Sequence, residues 1–275
     1  MSMPKLNVLG CGKVARVLAR LFAAHQVFQV QDILNRSQES SARALLFVGS
    51  GRAVERLQDM RSAKFWLLGV NDDAIISQAH ALQQAHKLRA GDTVFHCSGA
   101  LSAQALDFLQ ASGVRVASVH PIRSFADTAT VYAQFEGTYC SLEGDAHAQN
   151  QLQDALRRIG AQVLLIDGAH KALYHAASAI ACNFMSTLLE TAYQNWEKAG
   201  LTREQAERVA TPLVRETLDN ILRMGPAAAL TGPIARGDWQ TVDKHRAALA
   251  QANPQHAALY EAFVPLTAAL AQTKK

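Results

Sequence analysis

Lys5-Leu6-Asn7-Val8-Leu9-Gly10-Cys11-Gly12-Lys13-Val14-Ala15 decides the fold. Lys5–Leu9 is a short apolar run that stops at a glycine, as a buried strand does. From Val14 onward the period changes: Val14, Val17, Leu18, Leu21 and Phe22 share one helical face. Between the two lies Gly10-Cys11-Gly12-Lys13-Val14-Ala15, a G-x-G-x-x-A pattern. The first glycine permits the tight turn, the second lets backbone approach a pyrophosphate, and the small Ala15 lets helix and strand pack closely. The helix start then presents N–H groups and its positive dipole end to phosphate. Gly10, Cys11, Gly12, Lys13 and Val14 are the expected phosphate contacts; the alternative is a purely structural turn.

Working outward, strand-like and helix-like runs alternate. Strands are expected at Val27–Leu34, Phe65–Val70, Thr93–Cys97, Arg115–Val119, Tyr139–Leu142 and Gln162–Ile166. Helical patterns fill the intervals at Ser40–Phe47, Asp73–His86 and Gln149–Ile159. Such alternation with short loops predicts a doubly wound, Rossmann-type parallel sheet with helices on both faces. After Asp167 the character becomes all helical: an alanine-rich run over Lys171–Gly200, then Arg203–Leu222 opened by Thr202 and Gln205 as a capping box, then Val242–Ala250 and Pro254–Ala269. The expected domains are 1–166, a dinucleotide-binding α/β domain, and 167–275, an all-α domain.

The chain has 275 residues, 49% hydrophobic and 18% charged, with a net charge of +4. That composition is globular, and no Lys/Arg run marks a nucleic-acid-binding tail. Cys11, Cys97, Cys140 and Cys182 form no CxxC pair, and no Cys/His spacing resembles a metal site. The first residues lack a signal-peptide pattern, and no uncharged apolar run reaches membrane-spanning length. The expectation is a cytoplasmic protein with no metal, nucleic-acid or membrane partner.

The end of the second strand, Ile33-Leu34-Asn35-Arg36-Ser37, chooses the dinucleotide. An NAD site carries an acid there for the ribose 2′-hydroxyl, and an acid repels the 2′-phosphate of NADP. Asn35, Arg36 and Ser37 offer donors instead, and arginine clamps phosphate. NADP is therefore the expected cofactor. The alternative leaves Arg36 in solvent. Asp32 lies too early for the ribose role.

Asn35-Arg36-Ser37, Val70-Asn71-Asp72-Asp73 and Ser98-Gly99-Ala100, each after a strand, resemble the 6-phosphogluconate dehydrogenase-like superfamily. More narrowly, the chain resembles a branch with a Rossmann-like domain followed by DUF2520, whose members carry NADP- or F420-dependent oxidoreductase labels. His96-Cys97-Ser98-Gly99-Ala100, Ser118-Val119-His120-Pro121, Tyr174-His175-Ala176-Ala177 with Asn183, and Leu230-Thr231-Gly232-Pro233 with Arg236-Gly237-Asp238 carry that match. The resemblance implies a C-terminal domain like that of 6-phosphogluconate dehydrogenase, a homodimer, and hydride transfer between NADP(H) and a small acid or imine.

Superfamily dehydrogenases often pair a lysine with an asparagine four residues on; here Lys171 is followed by His175. Either is the proton donor, with Asn183 on the same helix face, or Lys171 is a solvated helix-start residue and His175 a packing residue. Val70 ends a strand, and Asn71, Ser98 and His120 follow strands; Val70, Asn71 and Ser98 are expected beside the cofactor, Ser98 with a catalytic role as well. His120, Thr231 and Arg236 are expected substrate contacts, against a structural turn closed by an Arg236–Asp238 contact. Two other functions fit the same sequence: a non-catalytic dinucleotide sensor, and an F420-linked oxidoreductase.

Overall fold

The computed structural model describes residues 3–273. Its first compact unit runs through Cys182 and its second from Asn183. The sequence reading divides the chain earlier, at 166/167. The compact units divide later because the helix after the last strand stays tied to the sheet through a buried lysine at its first turn.

The first unit is built on eight strands: β1 (Lys5–Leu9), β2 (Gln29–Leu34), β3 (Arg52–Val54), β4 (Phe65–Leu68), β5 (Thr93–His96), β6 (Arg115–Pro121), β7 (Tyr139–Gly144) and β8 (Gln162–Leu165). Their spatial order is β3-β2-β1-β4-β5-β6-β7-β8. Order reverses at β1, which pairs with both β2 and β4, and that is where open sheets of this kind form a ligand crevice. Every pairing is parallel except β6 with β7, an antiparallel return the alternation did not reveal. The helices of this unit are α1 (Lys13–Ala24), α2 (Gln38–Val48), α3 (Asp72–Gln84), α4 (Thr128–Ala133), α5 (Ala146–Arg158) and α6 (Lys171–Ala181), with a 3₁₀ segment over Ala103–Ser112.

Strand parity sorts the core into two layers. One face of the sheet packs Val8, Leu67, Phe95, Val119 and Leu142 beneath α1 and α5. The other packs Leu9, Trp66, Leu68, Val94 and Val116 against α3 and the 3₁₀ segment. Toward β5, β6 and β7 this second face stops being apolar. His96, Ser118 and Glu143 stand side by side in one register row, and His120 and Ser141 in the next.

The expected single helix over Lys171–Gly200 is two. α6 ends at Ala181, Cys182 leaves helical geometry (φ −123°, ψ −65°), and α7 (Asn183–Lys198) begins anew. Within Gly168–Lys198 an 18-residue window reaches a mean hydropathy of 1.2, enough to cross a membrane by length and composition alone; the stretch carries Lys171 and Glu190 and is broken at Cys182.

The second unit comprises α7, α8 (Arg203–Met224), α9 (Pro226–Ala229), α10 (Pro233–Arg236), α11 (Trp239–Ala252) and α12 (Pro254–Gln272). Thr202 and Gln205 form the reciprocal capping box. Arg203 reaches Glu190, Glu197 and Glu207, tying α7 to α8.

Candidate functional site

The phosphate loop is a junction in which three backbone segments touch. Gly10 sits at φ +78°, donates its N–H to the Leu34 carbonyl (2.7 Å), and lies flush on Val70. Gly69, after β4, donates to the Leu9 carbonyl (2.9 Å). A Cβ there would overlap both the Ala15 Cβ and the Gly10 carbonyl oxygen. The small third position of the fingerprint thus works as a pair, Ala15 against Gly69, and only its first member was expected.

Gly12 caps α1 without a side-chain hydrogen bond. Among the described residues no acceptor meets the N–H groups of Gly12, Lys13 or Val14. Open first-turn donors on a helix of this length are what a pyrophosphate requires. The Cys11 N–H is different: it donates to Asn35 Oδ1 (2.6 Å). Burial pushes the Cys11 thiol up to about 12, with nearby Arg16 opposing, so it stays protonated. Lys13 extends to the Ala126 carbonyl (3.3 Å).

At the end of β2 the polar residues split in role. Asn35 is committed internally, accepting from Cys11 and donating to the Ser40 carbonyl (3.0 Å). Ser37 caps α2, and Arg36 and Ser37 are exposed. Asp32 is fully buried and holds Arg61 and Arg52, at 2.7 and 3.1 Å. Burial works against its charge, yet hydrogen bonds from Arg61 and Arg52 outweigh it and hold the carboxyl below its ordinary range.

The second cluster lies under α6. Lys171 is 1% exposed and is not a solvated helix-start residue. Its Nζ donates to Glu143 Oε1 (2.9 Å) and to the Ser118 hydroxyl. Burial pushes its pKa down, and the hydrogen bond and charge of Glu143 oppose that. Glu143 Oε1 also accepts from the Ala103 N–H (2.9 Å). Lys171 therefore seats α6 over the row His96–Ser118–Glu143.

One turn on, Tyr174 and His175 lie over the next row. The Tyr174 hydroxyl is 3.1 Å from His120 Nδ1. The rings of His120 and His175 stand edge to face, 5.6 Å apart. Both pack on the backbone of Gly99: an added Cβ there would lie 2.8 Å from His120 Nε2 and overlap His175 Nδ1. His120 was expected after a strand, but it lies within β6. Burial first, then the positive potential of His175 and Lys171, pushes its pKa down to about 4, against the pull of Asp72.

Ser98 is fully engaged. It donates to Asp72 (2.6 Å) and accepts from Leu101 N (2.8 Å) and Ala100 N (3.2 Å). Asn71 caps α3 without a side-chain bond and is exposed, and Val70 packs on Gly10. His96 accepts from Ser98 N through Nδ1 (3.2 Å), which leaves the proton on Nε2.

Three buried side-chain polar atoms have no partner among the described residues: His96 Nε2, Ser141 Oγ and His175 Nδ1. All belong to the layer between the polar rows and α6. Native interiors satisfy nearly all buried polar groups, which makes this layer a candidate site.

Asn183, Thr231 and Arg236 fall in the second unit. Asn183 opens α7 after the break, so its register does not continue from His175. Thr231 and Arg236 are exposed. Asp238 caps α11 through Thr241, and Arg236 acts on it through its charge. Reading the sequence missed Glu143, Ser118, His96, Tyr174, Asp72 and Gly69 as site residues. The alternation Cys140-Ser141-Leu142-Glu143, polar on one face only, is the signal that would have found Glu143.

The geometry agrees with the sequence comparisons. Residues 2–121 match the Rossmann-like domain and residues 138–266 match a domain of unknown function, DUF2520. The chain is a Rossmann-like protein with a DUF2520 domain. A protein from Thermotoga maritima shares 26% identity and a TM-score of 0.76, over 98% of this chain and 99% of that one. A Bacteroides fragilis protein, named for NADP oxidoreductase activity, shares 20% identity and the same TM-score of 0.76, over 97% of this chain and 98% of that one. An imine reductase from Myxococcus stipitatus in complex with NADP⁺ shares 13% identity at a TM-score of 0.67, covering 98% and 95%. The last two likenesses are of fold. No curated protein matches the sequence.

Proposed function

We propose that this Rossmann-like/DUF2520 chain is an NADP(H)-dependent oxidoreductase acting on the C=O or C=N group of a small acid or imine. The observation that carries this reading is the junction of Gly10, Gly12, Ala15 and Gly69, which brings backbone flush to a helix start whose first N–H groups are open. Gly12, Lys13 and Val14 hold the pyrophosphate. Arg36 and the N-terminus of α2 take the 2′-phosphate, while Asn35 fixes the loop from behind. When bound, the cofactor supplies the hydride. The chain's own residues orient the acceptor and supply a proton from the layer under α6. Names of structural neighbours, including a pyrroline carboxylate reductase from Plasmodium falciparum with NADP bound, support the reaction class.

Calorimetric titration with NADPH, NADH and F420 tests the reading. NADPH is expected to bind most tightly. Arg36→Ala removes a charge-assisted contact worth about 1.5–3 kcal/mol, so NADPH affinity falls roughly 10- to 100-fold while NADH affinity is unchanged. Equal loss for both nucleotides would remove Arg36 from the site. F420 binding alone would reassign the hydride carrier, and NADPH binding without turnover of any acid or imine would favour a sensor.

We further propose that two copies associate through the helical unit. Phe184 of α7, Leu213 and Leu222 of α8 and Leu266 of α12 are 56%, 52%, 76% and 67% exposed. Large apolar side chains this exposed on one helical unit are the kind a subunit interface covers. Light scattering during size exclusion is expected to give twice the chain mass, and Leu222→Glu to shift the population toward one copy. A wild-type mass of one chain at micromolar concentration would dismiss the dimer.

A further inference from the structure

The mechanism just proposed needs a proton, and Lys171 on α6 and His120 on β6 compete to give it. Lys171 is poorly suited: its Nζ is buried and occupied by Glu143 and the Ser118 hydroxyl. His120 is nearer the surface of the layer, with Nε2 against Gly99 and Nδ1 on the Tyr174 hydroxyl. Burial and the positive potential of Lys171 and His175 keep its ring neutral at pH 7, against Asp72. A neutral imidazole that gave up its only N–H proton would become imidazolate, which is prohibitive in a buried layer. It can donate only if its other nitrogen is protonated in the same step.

Resting on the oxidoreductase reading, we propose that Tyr174 is the proton reserve of the site and His120 its donor, with Lys171 a positioning residue. The proton on His120 Nε2 moves to the substrate oxygen or nitrogen as that atom takes the electron pair of its double bond. The carbon of that bond receives the hydride, so the two electrons come from the cofactor. In the same event the Tyr174 O–H bond breaks and its proton goes to His120 Nδ1. His120 ends neutral as the other tautomer; the relay resets when solvent protonates Nε2 and the Nδ1 proton returns to the tyrosinate oxygen, one solvent proton being taken up per turnover. Burial raises the Tyr174 pKa, which keeps the reserve loaded between turnovers. Lys171, three residues before Tyr174, fixes α6 so that the hydroxyl meets Nδ1. The edge-to-face approach of Tyr174 to His120, with ring centroids 5.8 Å apart, limits other rotations of the imidazole.

The first readout needs no substrate. Long-range ¹H–¹⁵N spectra of the full chain, with and without NADP⁺, report which nitrogen of His120 carries the proton. The expected state is Nε2–H with Nδ1 as acceptor, and Tyr174→Phe is expected to mix the two tautomers. A wild-type His120 protonated on Nδ1 would overturn the relay, whether or not the variant folds. The second readout is NADPH oxidation with a panel of cyclic imines and small 2-oxo acids. Tyr174→Phe is expected to lower kcat by about 10²–10⁴, the usual worth of general acid catalysis, while NADPH affinity stays within twofold. Full kcat in that variant would overturn the proposal. Tight NADPH binding by the wild type with no turnover of the panel would strike the oxidoreductase reading in favour of a sensor, and the relay with it. Failure of the wild type to bind NADPH at all would strike that reading outright.

Discussion

Glu143→Ala is expected to cost about 3–5 kcal/mol of stability, the penalty for leaving one partner of a buried ion pair alone. The pair is as secluded as any among the described residues, with side-chain exposures of 1% for Lys171 and 5% for Glu143. Two losses combine. The Lys171 ammonium keeps only a neutral hydroxyl, and the Ala103 N–H loses its acceptor. For a chain of this size the midpoint of thermal unfolding should fall by roughly 6–20 °C. Lys171→Met is expected to do comparable harm by stranding the carboxylate. Lys171→Met with Glu143→Leu is expected to regain most of the loss, because neither charge remains to be desolvated. Circular dichroism melts of the wild type, Lys171→Met, Glu143→Leu and the double variant form a double-mutant cycle, with Glu143→Ala as a separate reference. Additive losses would show that the two residues act independently and that Lys171 does not seat α6 through Glu143.

That pair also shows where reading from sequence stops. The phosphate loop was legible because every part of it is local: a strand, a turn and a helix within a dozen residues whose spacing has a physical cause. That Arg36 and no acid follows β2 was legible from the same local stretch, and Arg36 is exposed. The polar layer was not, since it is assembled by register. His96, Ser118 and Glu143 become neighbours only once β6 lies between β5 and β7, with β7 reversed. Parity placed Ser141 and Glu143 on one face of β7, but not which face, nor what covers it. The burial of Lys171 was not legible, because a lysine at a helix start is ordinarily solvated. The break at Cys182 carries no glycine or proline, so nothing in composition announced it. Strand β3 is three residues long, too short for periodicity to report.

Gly69→Ala should produce the largest loss of cofactor binding from a single methyl group. Nothing about the residue's own conformation forbids alanine; the obstacle is what stands where the methyl would go. On one side is the Cβ of Ala15, on α1, and on the other the carbonyl oxygen of Gly10. Neither is the movable end of a long side chain. Gly10 is itself held at φ +78° by its bond to Leu34, and pressed against Val70. Relief must come from moving α1 away from β4, which withdraws the open N–H groups of Gly12, Lys13 and Val14 from the phosphate position. Overpacking of this kind costs about 1–3 kcal/mol in folding. The binding loss should be larger, on the order of 100-fold in NADPH affinity, because a displacement of about 1 Å at several donors weakens them together. Ala15→Gly in the same chain separates the two contacts. It removes the side-chain overlap and leaves the clash with the Gly10 oxygen, so partial recovery of binding is the expected result. Full recovery would mean that helix packing alone positions the loop. Unchanged affinity in Gly69→Ala itself would mean that the junction does not hold the cofactor, and the oxidoreductase reading would lose its main support.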